Sequence, residues 1–312
     1  MKAVPPLKRK PSLNAISDFP SDPASVYLSS LASSGRRSVR SQLSVVTKLL
    51  KHEGGLEDFP WHELRYQHVA RVRFLMIEQG YAINTINLTL AALRGVINAA
   101  FNLELVNADT VMRIKSVKLV TGTTTRIGSS LSQKEVARLI KSCMKDRSVI
   151  GARDTALMAL MVTTGLRRNE VVGLALSDYE PRSGWLVSHL GKGRKRREVQ
   201  LPKRVRHFMK EWLSYRGEGE GALFCKVLKN ERVVIGSLTS QTIYNVVKAR
   251  TLEAGVTVCT PHDLRRTYVT CLLDFNVDLN TVRLMVGHEN IETTCRYDRR
   301  NSNMARMIEK II

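Results

Sequence analysis

Apolar residues in the first third of the chain recur at helical spacing. Between residues 23 and 118 they follow one another at intervals of three, four and seven positions, which places them on one face of each of several helices. Few strand-like runs interrupt this stretch, so the pattern predicts a small all-helical domain. The positions that carry the prediction are Val39, Leu43, Val46, Leu49 and Leu50 in one segment and Ile86, Leu90, Leu93 and Ile97 in another.

A second domain is predicted after a segment rich in Thr, Ser and Gly. Residues 119–130 have the composition of an interdomain linker. Directly after them, Ser132 and Glu135 have the spacing of a capping box at the start of a helix. Residues 154–163 are apolar nearly all round, which is typical of a buried helix. We therefore assign residues 131–297 to the second domain.

Two strand-like runs interrupt the helical pattern of the second domain. Trp185–Leu190 and Glu198–Leu201 flank a Gly-Lys-Gly turn, which predicts a β-hairpin. From Ser237 the spacing is helical again to the C-terminus. The predicted fold class is therefore mainly α: a helical N-terminal domain, then a mostly helical domain with a small antiparallel sheet.

The charge of the chain indicates a polyanionic partner. Its 312 residues include 49 Lys and Arg against 28 Asp and Glu, a formal net charge of +21. Residues 1–22 combine prolines with a Lys-Arg-Lys run and are predicted to form a mobile basic arm. Residues 191–206 contain eight basic residues and one acidic residue. A charge run is usually a solvated face, but a cationic hairpin in so basic a protein favours contact with nucleic acid.

Composition excludes several other classes of protein. The longest apolar run, residues 156–162, is too short to span a bilayer, and no apolar segment follows the basic N-terminus, so we expect a cytoplasmic protein without a membrane partner. The five cysteines form no CxxC pair, which fits reduced thiols better than disulfides or a zinc site. We also see no phosphate-binding loop and no metal-ligand cluster, so we expect no cofactor and no metal.

Four short segments of the second domain carry residues that could do chemistry. Taken alone, each has an ordinary structural explanation: an ion pair at a helix start, a polar helix cap, a histidine at a helix end or a packed tyrosine. The segments are Thr164–Glu170 with Arg167 and Glu170, Pro261–Arg265 with His262 and Arg265, Gly287–His288 with His288, and Thr293–Tyr297 with Tyr297.

Taken in order, these motifs resemble the tyrosine recombinase, or phage integrase-like, family. The order is TGLRxxE, a basic GKG hairpin, HxLR, GH and a Tyr near the C-terminus, and it covers the whole second domain. The first domain is similar to the family's helical, SAM-like core-binding domain, particularly in Asn84–Arg94. The resemblance, closest to the simple Xer-like members, implies a site-specific DNA recombinase. Such enzymes cut one strand at a time through a 3′-phosphotyrosyl intermediate and exchange strands through a Holliday junction, without ATP.

The resemblance implies how protons move in the reaction. Tyr297 matches the nucleophile and His262 matches the base that activates it; a free tyrosine, with a pKa near ~10, would be a poor nucleophile at neutral pH. Lys192 in the Gly-Lys-Gly turn matches the general acid that protonates the departing 5′-oxygen. Lys195 lies three residues away on the same turn and is the alternative.

It also implies how the charge of the transition state is stabilised. Arg167 and Arg265 match two phosphate-binding arginines, whose planar guanidiniums suit phosphate oxygens and do not deprotonate. His288 matches a further hydrogen-bond donor. Glu170 matches a residue that positions Arg167 rather than one that reacts.

Base recognition is expected from two helices and from the hairpin. The helix over residues 239–254 carries amides and a lysine on one face, suited to base edges and phosphate, although an ordinary amphipathic surface helix would look the same. The candidate DNA-contact residues are Asn84, Asn87, Arg94, Arg194, Lys195, Arg196, Gln241, Asn245 and Lys248.

The end of the chain bears on assembly. Residues 298–312 form an apolar helical stripe, which either packs on its own domain or, as the resemblance implies, docks on a neighbouring protomer. The expected partners are then double-stranded recombination sites and further copies of the chain, four protomers on two sites. The sequence leaves open the DNA target, integration against excision or resolution, and whether accessory DNA-bending proteins take part.

Two other functions share parts of this pattern. A DNA-binding regulator on the same scaffold would not need all six residues of the catalytic set. A type IB topoisomerase uses the same phosphotyrosine chemistry but acts as a monomer, and the apolar tail and the linear order of the motifs favour the recombinase.

Overall fold

The chain divides into two compact units, residues 1–127 and 128–312. The computed structural model describes residues 22–122, 128–190, 195–288, 290–295 and 297. The predicted linker, residues 119–130, contains this division. Apart from Asp22, the predicted basic arm lies outside the described residues, as does the predicted C-terminal helix.

The first unit is built around one long central helix. Its helices are α1 (Pro23–Ser29), α2 (Ser33–Leu49), α3 (Tyr66–Glu78), α4 (Ile83–Asn102) and α5 (Ala108–Lys115). The other four pack against α4, which buries Ile86, Leu90, Leu93 and Ile97 as its apolar spacing predicts. Gly95 lets α1 approach closely, because a Cβ there would lie 2.1 Å from the Tyr27 ring.

The second unit is built around a buried helix. Its elements are α6 (Gln133–Cys143), α7 (Val149–Thr164), α8 (Arg168–Val172), β1 (Trp185–Leu190), β2 (Lys195–Gln200), α9 (Lys203–Arg216), β3 (Cys225–Val227), β4 (Val233–Ser237), α10 (Ser240–Glu253), α11 (Pro261–Asp274), α12 (Leu279–Val286) and α13 (Ile291–Cys295). Helices α6, α9 and α11 all pack on α7, which is buried nearly all round and contains the apolar run at residues 154–163.

The predicted capping box starts α6. The Ser132 hydroxyl accepts a hydrogen bond from the backbone N–H of Glu135, and the Glu135 carboxylate accepts one from the backbone N–H of Ser132. The Glu135 carboxylate accepts hydrogen bonds from the backbone N–H and the hydroxyl of Ser132 and from Thr257, and these bonds lower the pKa of Glu135 to about 2. Because Thr257 lies between α10 and α11, the same carboxylate also ties the start of α6 to that connection.

The sheets confirm the mainly α fold class and change its detail. Strands β1 and β2 pair antiparallel, with Trp185 opposite Gln200 and Leu190 opposite Lys195. The second strand begins three residues earlier than predicted, because its first residues are cationic and look like a loop in the sequence, although Arg196 is exposed and Arg197 is buried. A second antiparallel pair, β3 and β4, was not predicted; β3 is only three residues long and a register shift interrupts it after Cys225.

A buried ion network holds α10 against α7. The Asp154 carboxylate accepts hydrogen bonds from Arg153 at 2.7 and 2.9 Å and from Arg250 at 2.9 Å. Arg250 also donates to Asp146 and Glu253. Paired and hydrogen-bonded in this way, these charges can be buried.

No helix in the described part of the chain is long and apolar enough to cross a membrane.

Candidate active site

A tight turn after α7 places the first arginine. Gly165 ends α7 with φ +60°, and a Cβ there would lie 2.5 Å from the Tyr268 ring, so both the conformation and the space favour glycine. Arg167 follows as the N-cap of α8. Glu170 accepts hydrogen bonds from both the backbone N–H and the Nη1 of Arg167, each at 2.8 Å. This carboxylate therefore fixes the backbone and the guanidinium of Arg167 together.

The second arginine, Arg265 on α11, is held by backbone carbonyls. It is buried and donates from Nη1 to the oxygen of Gly165 at 2.7 Å and from Nη2 to that of Val286 at 2.6 Å. Burial, assisted by the positive charge of Arg167, lowers its pKa to about 10. Arg167 in turn donates to the carbonyl of Gly287 at 3.2 Å. Both guanidiniums are thus tied to the residues that precede His288.

His288 is a buried, neutral imidazole at neutral pH. Its Nδ1 lies 2.9 Å from the Thr294 hydroxyl, and its ring stacks on that of Tyr297 with centroids 5.9 Å apart. Burial, and then the charges of Arg265 and Arg167, lower its pKa to about 4. In the tautomer of the neutral ring in which the Thr294 hydroxyl donates to Nδ1, the ring proton is on Nε2, which can then donate to an oxygen.

Tyr297 lies between this histidine and two side chains of α11. Its hydroxyl is 3.4 Å from Nε2 of His262, and the guanidinium of Arg266 lies 5.0 Å from its ring centroid. Burial and the charge of Arg266 lower the pKa of His262, so this imidazole is neutral at neutral pH and can accept a proton. In enzymes without bound substrate, catalytic hydrogen bonds are often as long as this distance between Tyr297 and His262, and they shorten when substrate binds.

One groove of about 1830 Å³ in the second unit is lined by most of the predicted catalytic set. Tyr297 contacts two of the residues that line the groove, His288 and His262. Lys192, the predicted general acid, lies outside the described residues, so its role stays a prediction. The lining includes Arg167, Glu170, His262, Arg265 and His288.

Of the predicted DNA-contact residues in the first unit, two have their polar groups used internally. The Asn87 side chain donates to the carbonyl of Val120 and accepts from its N–H, and Arg94 donates to the carbonyls of Lys115 and Val117. These bonds hold the chain after α5 against α4. Asn84 is exposed on the first turn of the same helix.

In the second unit the predicted DNA-contact residues on α10 share one exposed face. Gln241 donates to Asn245 at 2.9 Å, and Lys248 is exposed one turn further on. In the hairpin, Arg196 is exposed and paired with Glu198 at 3.0 Å. Arg194 lies outside the described residues, and for Lys195 only the backbone is described. The roles of all these residues in DNA contact stay predictions.

The sequence prediction missed three residues at this site. Arg266 lies one turn after His262 on α11 and contacts Tyr297, and its i+4 spacing from His262 was the available signal. Arg197, buried in β2, donates to the carbonyl of Thr164, and strand alternation could have indicated its inward direction. Thr294, which orients His288, carries no recognisable pattern.

Comparison with known proteins identifies the family. Residues 129–304 match the model of the phage integrase family. The chain belongs to this family. It is 32% identical to tyrosine recombinase XerD of Shewanella oneidensis over 71% of its own length and 72% of the relative's. It is also 30% identical to tyrosine recombinase XerA of Pyrococcus furiosus, over 75% and 77%. This integrase-family chain is therefore an enzyme of the tyrosine recombinase class.

Solved structures show the same fold. The XerH site-specific recombinase bound to a palindromic difH substrate superposes with a TM-score of 0.69 at 21% identity, covering 88% of this chain and 80% of the other. A lambda integrase dimer bound to a COC′ core site superposes with a TM-score of 0.65 at 15% identity, covering 87% and 90%. At these identities the likeness establishes the architecture alone.

The neutral state of His288 makes the folded enzyme sensitive to acid. Its pKa of about 4 in the folded protein is below the ~6.5 of an unfolded histidine, so the unfolded chain binds the proton first. We expect the contribution of His288 to stability to be full above about pH 6.5 and to be lost as the pH falls towards about 4. Melting temperatures across this range should fall less steeply for His288→Gln. His207→Gln, at an exposed position of α9, is the control, and equal slopes for all three proteins would contradict the assignment.

Proposed function

We propose that this integrase-family enzyme is a site-specific DNA recombinase that works through a 3′-phosphotyrosyl intermediate and a Holliday junction. The observation that carries the proposal is the convergence of Arg167, His262, Arg265 and His288 around one groove, with Tyr297 in contact with both histidines. The surplus of 21 positive charges favours duplex DNA as the substrate. The XerH and lambda integrase structures were both determined with DNA, which supports the same substrate.

The proposed first step is attack of the Tyr297 hydroxyl on the scissile phosphorus. The phenolic proton passes to Nε2 of His262 as the O–P bond forms, and the bond from phosphorus to the 5′-oxygen breaks. The 5′-oxygen leaves as a hydroxyl after taking a proton, which the predicted acid Lys192 would supply. Attack by a 5′-hydroxyl of the partner strand reverses these steps and restores a phosphodiester, so the bond energy is conserved and no ATP is needed.

The remaining side chains stabilise the negative charge that develops on the non-bridging oxygens. Arg167, which is half exposed, and Arg265, which is buried, provide two guanidiniums next to the turn at Gly165. His288 adds a neutral Nε2–H donor. Donors fixed in advance by carbonyls and a carboxylate need little reorganisation during the reaction, which is the main source of their catalytic effect.

We further propose that four protomers assemble on two recombination sites. The apolar positions of residues 298–312 support a helix that docks on a neighbouring protomer. We place this assembly in the cytoplasm, in association with the nucleoid.

The test uses a pool of nicked duplexes with randomised sequence. A nick near the cleavage point lets a short fragment diffuse away, so the covalent complex accumulates; we expect a denaturation-resistant adduct joined to a 3′-end, from which the site can be recovered. No adduct from any sequence in the pool would contradict the proposal. A plasmid with two recovered sites should then yield recombinant circles, whereas relaxation without recombinants would indicate a topoisomerase instead.

Removing the negative charge of Glu170 is expected to slow cleavage more than it weakens DNA binding. The Glu170→Gln amide cannot accept at both oxygen positions, so Arg167 loses either its side-chain or its backbone partner. A small displacement of this kind should reduce the cleavage rate at saturating DNA by about 10- to 100-fold. Single-turnover rates and filter binding measure the two effects; Glu253→Gln, which also loses a carboxylate paired with an arginine, is the control. A loss confined to binding would contradict the positioning role.

A further inference from the structure

Arg197 is a third guanidinium at the site, and it has no carboxylate partner among the described residues. It lies on β2 with 7% of its surface exposed and lines the same groove as Arg167 and Arg265. Its Nη2 donates to the carbonyl of Thr164 at 2.5 Å. Its Nη1 is buried without a hydrogen-bond partner in the part of the chain that the structure describes. Burial lowers the pKa of Arg197, although at neutral pH the group stays protonated.

The charges around Arg197 do not balance. Among the described residues, the one carboxylate that is hydrogen-bonded to any of Arg167, Arg197 and Arg265 is that of Glu170, and its partner is Arg167. His262 and His288, which also line the groove, are neutral at neutral pH, so they neither add to this positive charge nor compensate it. A buried cation without a counter-charge or a full set of acceptors destabilises the folded state.

Other buried arginines of the second unit are satisfied differently. Arg153 and Arg250 pair with carboxylates. Arg216, which is 3% exposed, donates to the carbonyls of Ala222, Gly217 and Gly219. Folding therefore explains these three residues. The polar neighbours of Arg197 are the carbonyl of Thr164 and the side chain of Tyr268, neither of which is a carboxylate, so folding does not explain why a charge is kept at position 197.

We infer that Arg197 is a positioning residue of the scissile-phosphate site, whose charge is compensated only when DNA is bound. This inference rests on the proposed function. The phosphodiester brings one negative charge to the groove, and the transition state of tyrosine attack develops a second. Arg197 thus favours the charged, DNA-bound states over the free enzyme.

The geometry shows how Arg197 acts through its neighbours. It holds the carbonyl of Thr164, the residue before Gly165, whose own carbonyl fixes Arg265. Arg167 begins the next helix two residues later. Because Arg197 belongs to the strand that follows the Gly-Lys-Gly turn, it connects the hairpin of the predicted acid Lys192 to the turn that orients both arginines.

The first measurement compares the stability of two variants without DNA. Arg197→Met should leave the melting temperature within about 2 °C of the wild-type value, because the lost hydrogen bond is offset by removal of a buried charge. Arg216→Met, the matched control, should lower it by about 4–8 °C, because three carbonyls lose their donor. A fall for Arg197→Met as large as that for Arg216→Met, or failure of Arg197→Met to fold, would make residue 197 structural and overturn the inference.

The second measurement asks whether the charge acts on the phosphate. At saturating DNA, Arg197→Met should form the covalent adduct about 10- to 100-fold more slowly than wild type. On a duplex whose scissile phosphate is a neutral methylphosphonate, the difference between the two proteins should shrink to a few-fold, because less charge develops there. Arg197→Lys, which keeps the charge, should cleave the normal duplex faster than Arg197→Met.

The possible results separate the inference from the function on which it rests. If wild type forms no adduct, the proposed function fails. If wild type cleaves and Arg197→Met cleaves as fast, the inference alone is wrong. An equal deficit on normal and methylphosphonate DNA would also overturn it, since a purely structural defect does not depend on the charge of the substrate.

Discussion

Tyr297→Phe is expected to abolish the covalent DNA adduct while the enzyme stays folded and bound to DNA. Phenylalanine keeps the ring that stacks on His288 and lies under Arg266. It removes only the hydroxyl, whose one hydrogen-bond partner among the described residues is His262 at 3.4 Å. Loss of so long a hydrogen bond should cost at most ~1 kcal/mol of stability. Loss of the attacking oxygen should reduce adduct formation by more than ~10³-fold.

The measurement is the denaturation-resistant adduct on the nicked site, with DNA binding followed by gel shift. Tyr215→Phe is the matched control, because Tyr215 is an exposed tyrosine of α9 outside the groove. We expect this control to form adduct at the wild-type rate. Adduct from Tyr297→Phe at a comparable rate would show that another residue attacks, and the roles assigned to His262 and His288 would have to be reconsidered with it.

Much of the fold could be predicted from hydrophobic periodicity, because in a long helix the spacing of the apolar residues shows which face is buried. The apolar stripe of α4 and the buried run inside α7 were both visible in the sequence. The pair β3 and β4 was not, because three residues are too few to establish alternation. The early start of β2 could not be predicted because its first residues are charged. A buried arginine cannot be told from an exposed one in the sequence, and only the tertiary structure shows that Arg197 is buried.

The sequence predicted which residues belong to the candidate site, but it did not predict how they are arranged. The order of the motifs predicted the residues that line the groove. It could not predict the groups that hold them in place, because most of these are backbone carbonyls, which have no sequence pattern. Asn87 and Arg94 illustrate the reverse problem. Both have the chemistry of DNA-contact residues, and both use it within their own unit, to hold the chain from Lys115 to Val120.

Arg265→Lys should show that the shape of the guanidinium matters as well as its charge. Arg265 donates from two nitrogens to two different carbonyls, those of Gly165 and Val286, and its remaining N–H groups are available to the phosphate. A lysine ammonium is a single point donor and cannot hold both carbonyls in that geometry. We therefore expect the cleavage rate at saturating DNA to fall by about 10²–10³-fold although the positive charge is retained.

Lysine substitutions at positions 265 and 197 are expected to have different effects. At position 197 lysine should recover part of the activity lost in Arg197→Met, since uncompensated charge is the property required there. At position 265 lysine should recover little over Arg265→Met, because the carbonyls of Gly165 and Val286 require two donors in one plane. Single-turnover cleavage by the four variants tests both statements together. If Arg265→Lys cleaves within about tenfold of wild type, the arginine acts mainly through charge, and fixed orientation is not what the turn at Gly165 provides.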